Sequence, residues 1–311
     1  MSNRIVSLIA SATEIVTALG LQEQLVGRSH ECDFPESVRS LPVCSEPRID
    51  VNASSGEIDR QVRAAVTDAL SIYKISIDEL SRLQPTHLIT QSQCEVCAVS
   101  LEDVQQAVCQ MIGSQPKIIS HNPMKLAEIW NDIRTTALAL NVESRGEELI
   151  GSLQQRLEAV RESVSQRTVK PRVVCLEWIQ PMMSAGNWMP ELVEIAGGVP
   201  LLSEAGKHSP YFEWSDLRAV NPDVIAIMPC GFDLPRTISE LGVLFDSPDW
   251  FELRAVRQGR VYLADGNQYF NRPGPRVVES AEILAEILHD IGHNLPTYQH
   301  HMTGWLRLEE C

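Results

Sequence analysis

The chain is short of positive charge. Its 311 residues carry 26 Lys and Arg against 41 Asp and Glu, a net charge of −15. Nucleic acid and anionic membrane surfaces demand a basic face, so neither is an expected partner. Long apolar runs are missing too. The stretch Ile5 to Ala10 falls well short of the ~20 residues that span a bilayer, and of a signal peptide with its cleavage site. No later run reaches spanning length. Read this way, the chain predicts no membrane insertion and a cytoplasmic location, a periplasmic one requiring a leader already removed. The eight cysteines are scattered without a disulfide framework, which favours reduced thiols. Catalytic signatures are equally scarce. There is no Gly-rich phosphate loop, no nucleophile elbow and no paired-carboxylate spacing, so an enzyme is not expected.

What remains is an ordinary globular composition, 44% apolar and 22% charged, in a chain too long for one core. It reads as a duplication. Arg4 to Leu8 and Arg172 to Leu176 are short β-branched runs. Each precedes a turn and a helical pattern closed by glycine, Glu14 to Gly20 and Glu191 to Gly197. A helix stopped by proline then leads into a buried strand, Asp78 to Pro85 before Thr86 to Thr90, and Asp216 to Pro222 before Asp223 to Ile227. A third strand follows in each half, Lys117 to Ser120 and Arg260 to Ala264. Strands alternating with helices imply parallel sheets. The expected fold is α/β, two similar lobes joined by a long rigid helix, with a ligand cleft between them. The expected divisions are 1–122 (with a helical insertion at about 51–75), a helical backbone at 123–168, a second lobe at 169–294 and a tail at 295–311. The backbone begins at Asn122 and Pro123, a cap and first-turn proline.

Ligands of open parallel sheets bind beyond the carboxyl ends of the strands. The segments there interleave aromatic and thioether side chains (Trp178, Met182, Met183, Trp188, Phe232, Tyr269, Phe270) with amides (Gln91, Gln93, Gln180, Asn187, Asn267, Asn271). Apolar walls with sparse polar groups make a small-molecule pocket. Each aromatic taken singly is as well explained by core packing.

Arg4 to Gly20, Val26 to Pro35, the two helix-Pro-strand elements, Gly197-Gly198 and Tyr269 to Arg276 together resemble the cobalamin-binding receptors of ABC importers. These lie within the helical-backbone family of periplasmic binding proteins. The resemblance implies cobalamin as ligand and transport, storage or delivery as function. It places Ser11, Thr13, Glu31, Gln91, Met182, Met183, Tyr269, Phe270 and Arg272 around the ligand. Glu31 and Gln91 stand where such receptors hold the corrin with aromatics. Siderophores and haem bind the same scaffold. Permease-docking acids fall on Asp78, with Glu79 beside it, and on Asp216. They would serve only an exported protein, and as helix N-terminal acids they also suit the helix dipole.

Two metal readings stand beside this. Cys94 and Cys97 form a C-x-x-C that would make a zinc or other soft-metal site if its loop meets His30 and Cys32. His30 alone suits axial ligation of a corrinoid cobalt or a haem iron. A protein handling metal, haem or a siderophore, or an enzyme acting on such a ligand, is therefore the rival function. His289, His293, His300 and His301 read as surface residues.

Overall fold

A computed structural model describes residues 3–67, 72–92, 101–111, 115–289 and 299–311. In chain order its strands are β1 (Ile5–Ser7), β2 (Leu25–Arg28), β3 (Ser45–Pro47), β4 (Tyr73–Ile75), β5 (His87–Gln91), β6 (Lys117–His121), β7 (Arg172–Trp178), β8 (Met183–Ser184), β9 (Val199–Pro200), β10 (Val224–Ile227), β11 (Val261–Ala264) and β12 (Trp305–Arg307). The order β2-β1-β5-β6 makes a parallel four-stranded sheet in the first lobe. In the second lobe the order is β12-β11-β10-β7-β8, with β9 also on β7. There β7, β10 and β11 run parallel, while β8 and β12 are antiparallel edges. Every residue of β10 and of β11 is buried, as expected where helices cover both faces of a parallel sheet.

The duplication extends to backbone detail. The helices Ala10–Ala18 and Met189–Ile195 are followed by Gly20 and Gly197, both at positive φ. The helices Ile77–Leu83 and Trp214–Val220 end on Gln84 and Asn221 in the left-handed region, each followed by proline. An αL residue turns the chain out of the helix, and the proline cannot rejoin it.

The connection between the sheets is a pair of helices, Leu126–Ala139 and Glu143–Val164. Asn141, at φ 61°, makes the break. The 22-residue second helix is about 33 Å long. A Cβ on Gly146 would sit 2.6 Å from the Ala137 Cβ, so the two helices approach through a glycine. The first helix starts at Leu126, later than Asn122-Pro123 suggests. The Glu128 carboxylate reaches back to accept from the Met124 and Lys125 N–H groups and caps it there.

Two further expectations are corrected, and one open assignment is filled. The insertion is helical only over Ser55–Thr67, and β4 pairs with β3 instead of continuing the helix. The tail, which the repeat left unassigned, adds β12 to the second sheet. His289 is buried, with its Nε2 against the Ala196 carbonyl, and His300 is mostly buried on Glu286. His293 lies outside the described residues.

The tail is held by Trp305. Its ring packs edge-on to Tyr262 at 5.6 Å, and its Nε1 donates to Glu286 Oε2 at 2.6 Å. Replacing Trp305 with Ala should cost about 3–5 kcal/mol. Trp305→Phe, which removes the donor to a buried carboxylate and part of the ring while keeping an aromatic, should cost less, roughly 1–3 kcal/mol. Denaturant midpoints of the two variants check this, and equal losses would refute the split.

Candidate ligand site

The carboxyl ends of both sheets deliver their loops to one region. From the first lobe come the start of the helix Ala10–Ala18 and the segment Ser29 to Phe34. From the second come the ends of β7 and β10 and the stretch 265–276. Gly266 makes the last arrangement possible, since a Cβ there would lie 2.1 Å from the Pro229 carbonyl oxygen.

Arg272 crosses between the lobes. Its Nη1 donates to Glu14 Oε1 at 3.0 Å and to Asp33 Oδ1 at 2.6 Å, while Nη2 donates to Asn267 Oδ1 at 3.1 Å. Asn267 in turn donates to Asp33 Oδ2 at 3.1 Å. Arg272 is 5% exposed and Glu14 only 2%. Arg276 lies 4.1 Å from the ring centre of Phe34 and 4.6 Å from that of Tyr269. Its Nε is 3.9 Å from Glu14 Oε2 and 3.4 Å from Glu279. Burial pushes the Glu14 carboxyl up to about 7, outweighing both arginines. Burial also raises Asp33, but the bond and charge of Arg272 prevail and leave it below the usual carboxylate range.

Beside this clasp, in the same Ser29 to Phe34 segment, lies a second titratable group. His30 Nδ1 is 3.0 Å from Ser45 Oγ, and its ring lies 5.2 Å from that of Tyr73. Its Nε2 is buried without a hydrogen-bond partner, 3.8 Å from Glu31 Oε1. Burial holds the imidazole below its ordinary pKa and therefore neutral at pH 7. The Tyr73 hydroxyl donates to Glu31 Oε1 at 3.3 Å. Burial pushes the Glu31 carboxyl up to about 7, yet 39% of its side chain meets solvent, which screens part of that push.

The other expected site residues divide. Tyr269, Asn271, Met183 and Trp178 are partly exposed. Phe270 and Trp188 are buried in the main core, and Met182 in the core of the second lobe. Phe232 is buried with its ring 5.3 Å from Trp178, and Gln91 is buried at the end of β5. Ser11 and Thr13 are buried, Thr13 Oγ1 lying 2.9 Å from Cys32 Sγ. The Cys32 thiol is fully buried beside Ser29 and Thr13, and burial raises its pKa, the opposite of a ready metal ligand. Gln93, Cys94 and Cys97 lie outside the described residues. Among the described residues no group of three or more His, Cys, Asp or Glu is placed to hold a metal ion. Sequence reasoning missed Glu14, Asp33, Asn267 and Arg276 as a cluster, because their pairing spans more than 230 residues.

A carboxyl whose folded pKa lies above its unfolded value favours folding when protonated. Glu14 therefore adds stability below about 4.5 that is lost as pH rises through about 7. Glu14→Gln should flatten that loss, by at most about 3 kcal/mol. The melting temperature of the variant relative to the parent should climb between pH 4.5 and 7.5, and a constant offset would refute the assignment.

Comparisons with known proteins agree on the scaffold. Residues 5–267 match the periplasmic binding protein family. An uncharacterized ABC transporter substrate-binding lipoprotein of Bacillus subtilis (strain 168), YvrC, is 22% identical over 92% of this chain and 80% of its own. The periplasmic haem-binding protein RhuT of Roseiflexus sp. RS-1 superposes with a TM-score of 0.69 at 24% identity, over 93% of this chain and 99% of that one. The periplasmic vitamin B12-binding protein BtuF of Vibrio cholerae gives 0.66 at 19%, over 92% and 96%. Among the described residues no helix is long and apolar enough to cross a membrane. The expected cytoplasmic location is overturned, because the matched relatives are periplasmic proteins or a lipoprotein, which points outside the cytoplasm. A two-lobed α/β scaffold matched over residues 5–267 makes this chain a member of the periplasmic binding protein family, whose proteins bind substrates and do not transform them.

Proposed function

We propose that the chain is the substrate-binding protein of an ABC importer, acting outside the cytoplasm, and that its cargo is a corrinoid, cobalamin or a close relative. The carrying observation is His30. It is neutral, anchored at Nδ1, and leaves Nε2 without a partner in the segment that faces the other lobe. That is the state in which imidazole takes a metal as axial ligand. Glu31, 3.8 Å away, is the group a ligand must displace to reach it.

Charge favours a corrinoid over haem. Both arginines at the cleft already face carboxylates, and Glu31 adds another acid. Among the described residues Arg272 and Arg276 are already paired with acids, so the carboxylates of a haem would have to compete for them, whereas the neutral amide arms of a corrinoid suit Glu31 and Asn271. Haem remains the second reading, since the same imidazole would bind its iron and relatives such as RhuT are haem-binding proteins. Within this reading Trp178, Met183 and Tyr269 supply the apolar walls. The permease would meet Asp78 and Asp216, exposed acids in the first turns of equivalent helices in the two lobes. An extracytoplasmic protein removes the earlier reason for treating these acids only as helix caps.

Absorbance and calorimetric titration with aquocobalamin, cobinamide and haem tests the reading. One-to-one corrinoid binding is expected. The visible-band shift with aquocobalamin should vanish in His30→Ala, and affinity should fall at least about tenfold, or ~1.4 kcal/mol. Neither heat nor shift with either corrinoid would overturn the corrinoid assignment. Saturation by haem alone would replace it with the second reading.

A further inference from the structure

We infer that the segment from Asn52 to Arg63 is a gate over the ligand cleft, latched by Glu240 of the opposite lobe. The inference rests on the cleft being the ligand site. By sequence this segment belongs to the first lobe, between β3 and β4. Its contacts run to the second. The Ser55 N–H and hydroxyl donate to Glu240 Oε2 at 3.0 and 2.9 Å. Trp178 Nε1 donates to the Ser55 carbonyl at 3.2 Å, and Arg236 donates to the carbonyls of Asn52 and Ala53. Farther along the helix, the Tyr211 hydroxyl donates to Asp59 Oδ1 at 3.4 Å, and the Arg63 guanidinium lies 5.2 Å from the Tyr211 ring centre. Gly56 presses on Gln180, whose Oε1 would lie 2.8 Å from a Cβ there.

The first N–H groups of a helix have no intrahelical partners, and its N-terminus favours an anion. The helix Ser55–Thr67 takes such a cap from a carboxylate on the other lobe. Glu240 is itself buried, with Arg236 3.6 Å away. The latch therefore joins two groups that each gain from it, and each can return to water when it opens. Closed, it covers the wall formed by Trp178 and Phe232, with Arg236 4.7 Å from the Phe232 ring centre. A ligand that uses this wall has to wait for the segment to lift. Glu240 is thus a positioning residue that sets the speed of entry and exit more than the final affinity.

Hydrogen exchange on the ligand-free protein and stopped-flow binding of aquocobalamin test this together. In Glu240→Ala, which removes both hydrogen bonds from Ser55 to the carboxylate, the amides of residues 55–60 should exchange at least about tenfold faster, while those of β10 keep their protection. Association and dissociation rates should rise by similar factors, leaving Kd within about threefold of the parent. Glu240→Gln keeps an acceptor without the charge and should fall between the two. Unchanged exchange at 55–60 would overturn the latch whether or not any ligand binds. Faster exchange with an unchanged association rate would overturn the gate and leave the corrinoid reading intact. Absence of corrinoid binding would count against the proposed function, with the latch still judged by exchange alone.

Discussion

The Arg272 guanidinium, shared between Glu14 and Asp33, is the constraint around which this molecule is arranged. A cation 5% exposed cannot stay charged without partners, and both of its carboxylates come from the opposite lobe. Buried ion pairs add little net stability against an apolar alternative, but breaking one by removing a partner is costly. What such a pair fixes is geometry. Here it fixes the distance and angle between two lobes that share no sheet, and it brings the 265–276 stretch against the first lobe. Gly274 passes Ser11 so closely that a Cβ would sit 3.2 Å from its carbonyl oxygen.

The clasp is supported from behind by parts of the chain with no chemistry of their own. Arg276 is held between Phe34 and Tyr269, one ring from each lobe. Tyr269 in turn meets His300 edge-on at 6.1 Å, and the Asp265 N–H donates to the Gly304 carbonyl at 2.8 Å. Burial lowers the pKa of His300, but its bond and charge pairing with Glu286 win and raise it, so the imidazolium is stabilised in place. A tail with no counterpart in the first lobe thus braces the loop that carries the interlobe arginine.

The repeat was legible because its signals are local. A β-branched run, a helix closed by glycine and a proline after a helix can each be read within ten residues, and the strands β1, β5, β6, β7, β10 and β11 fall where those signals lie. The short edge strands were not legible. A three-residue strand such as β12 has no periodicity of its own and forms because β11 offers an unpaired edge. In the site, aromatic content alone could not separate a wall from a core. Phe270 and Trp188 have the same composition signal as Tyr269 and Trp178, yet the first pair is packed into the core and the second reaches solvent. Nothing local distinguishes Glu14 from an ordinary acid within a helical segment. Its role depends on a partner 258 residues away.

The connection between the lobes limits how a ligand can enter. A flexible Gly/Ser linker would let the lobes swing apart, but here a helix of 22 residues runs between them, close-packed on its neighbour through Gly146. Wide opening would bend that helix or strip the partners from Arg272. The elements that can move at lower cost are those whose polar groups water can satisfy in the open state. The helix start at Ser55 is one, and the partly exposed Glu31 beside His30 is the other. Under the proposed function, a stiff frame with small movable parts would leave selectivity to local side-chain chemistry, above all to which group can displace Glu31 from beside His30 Nε2.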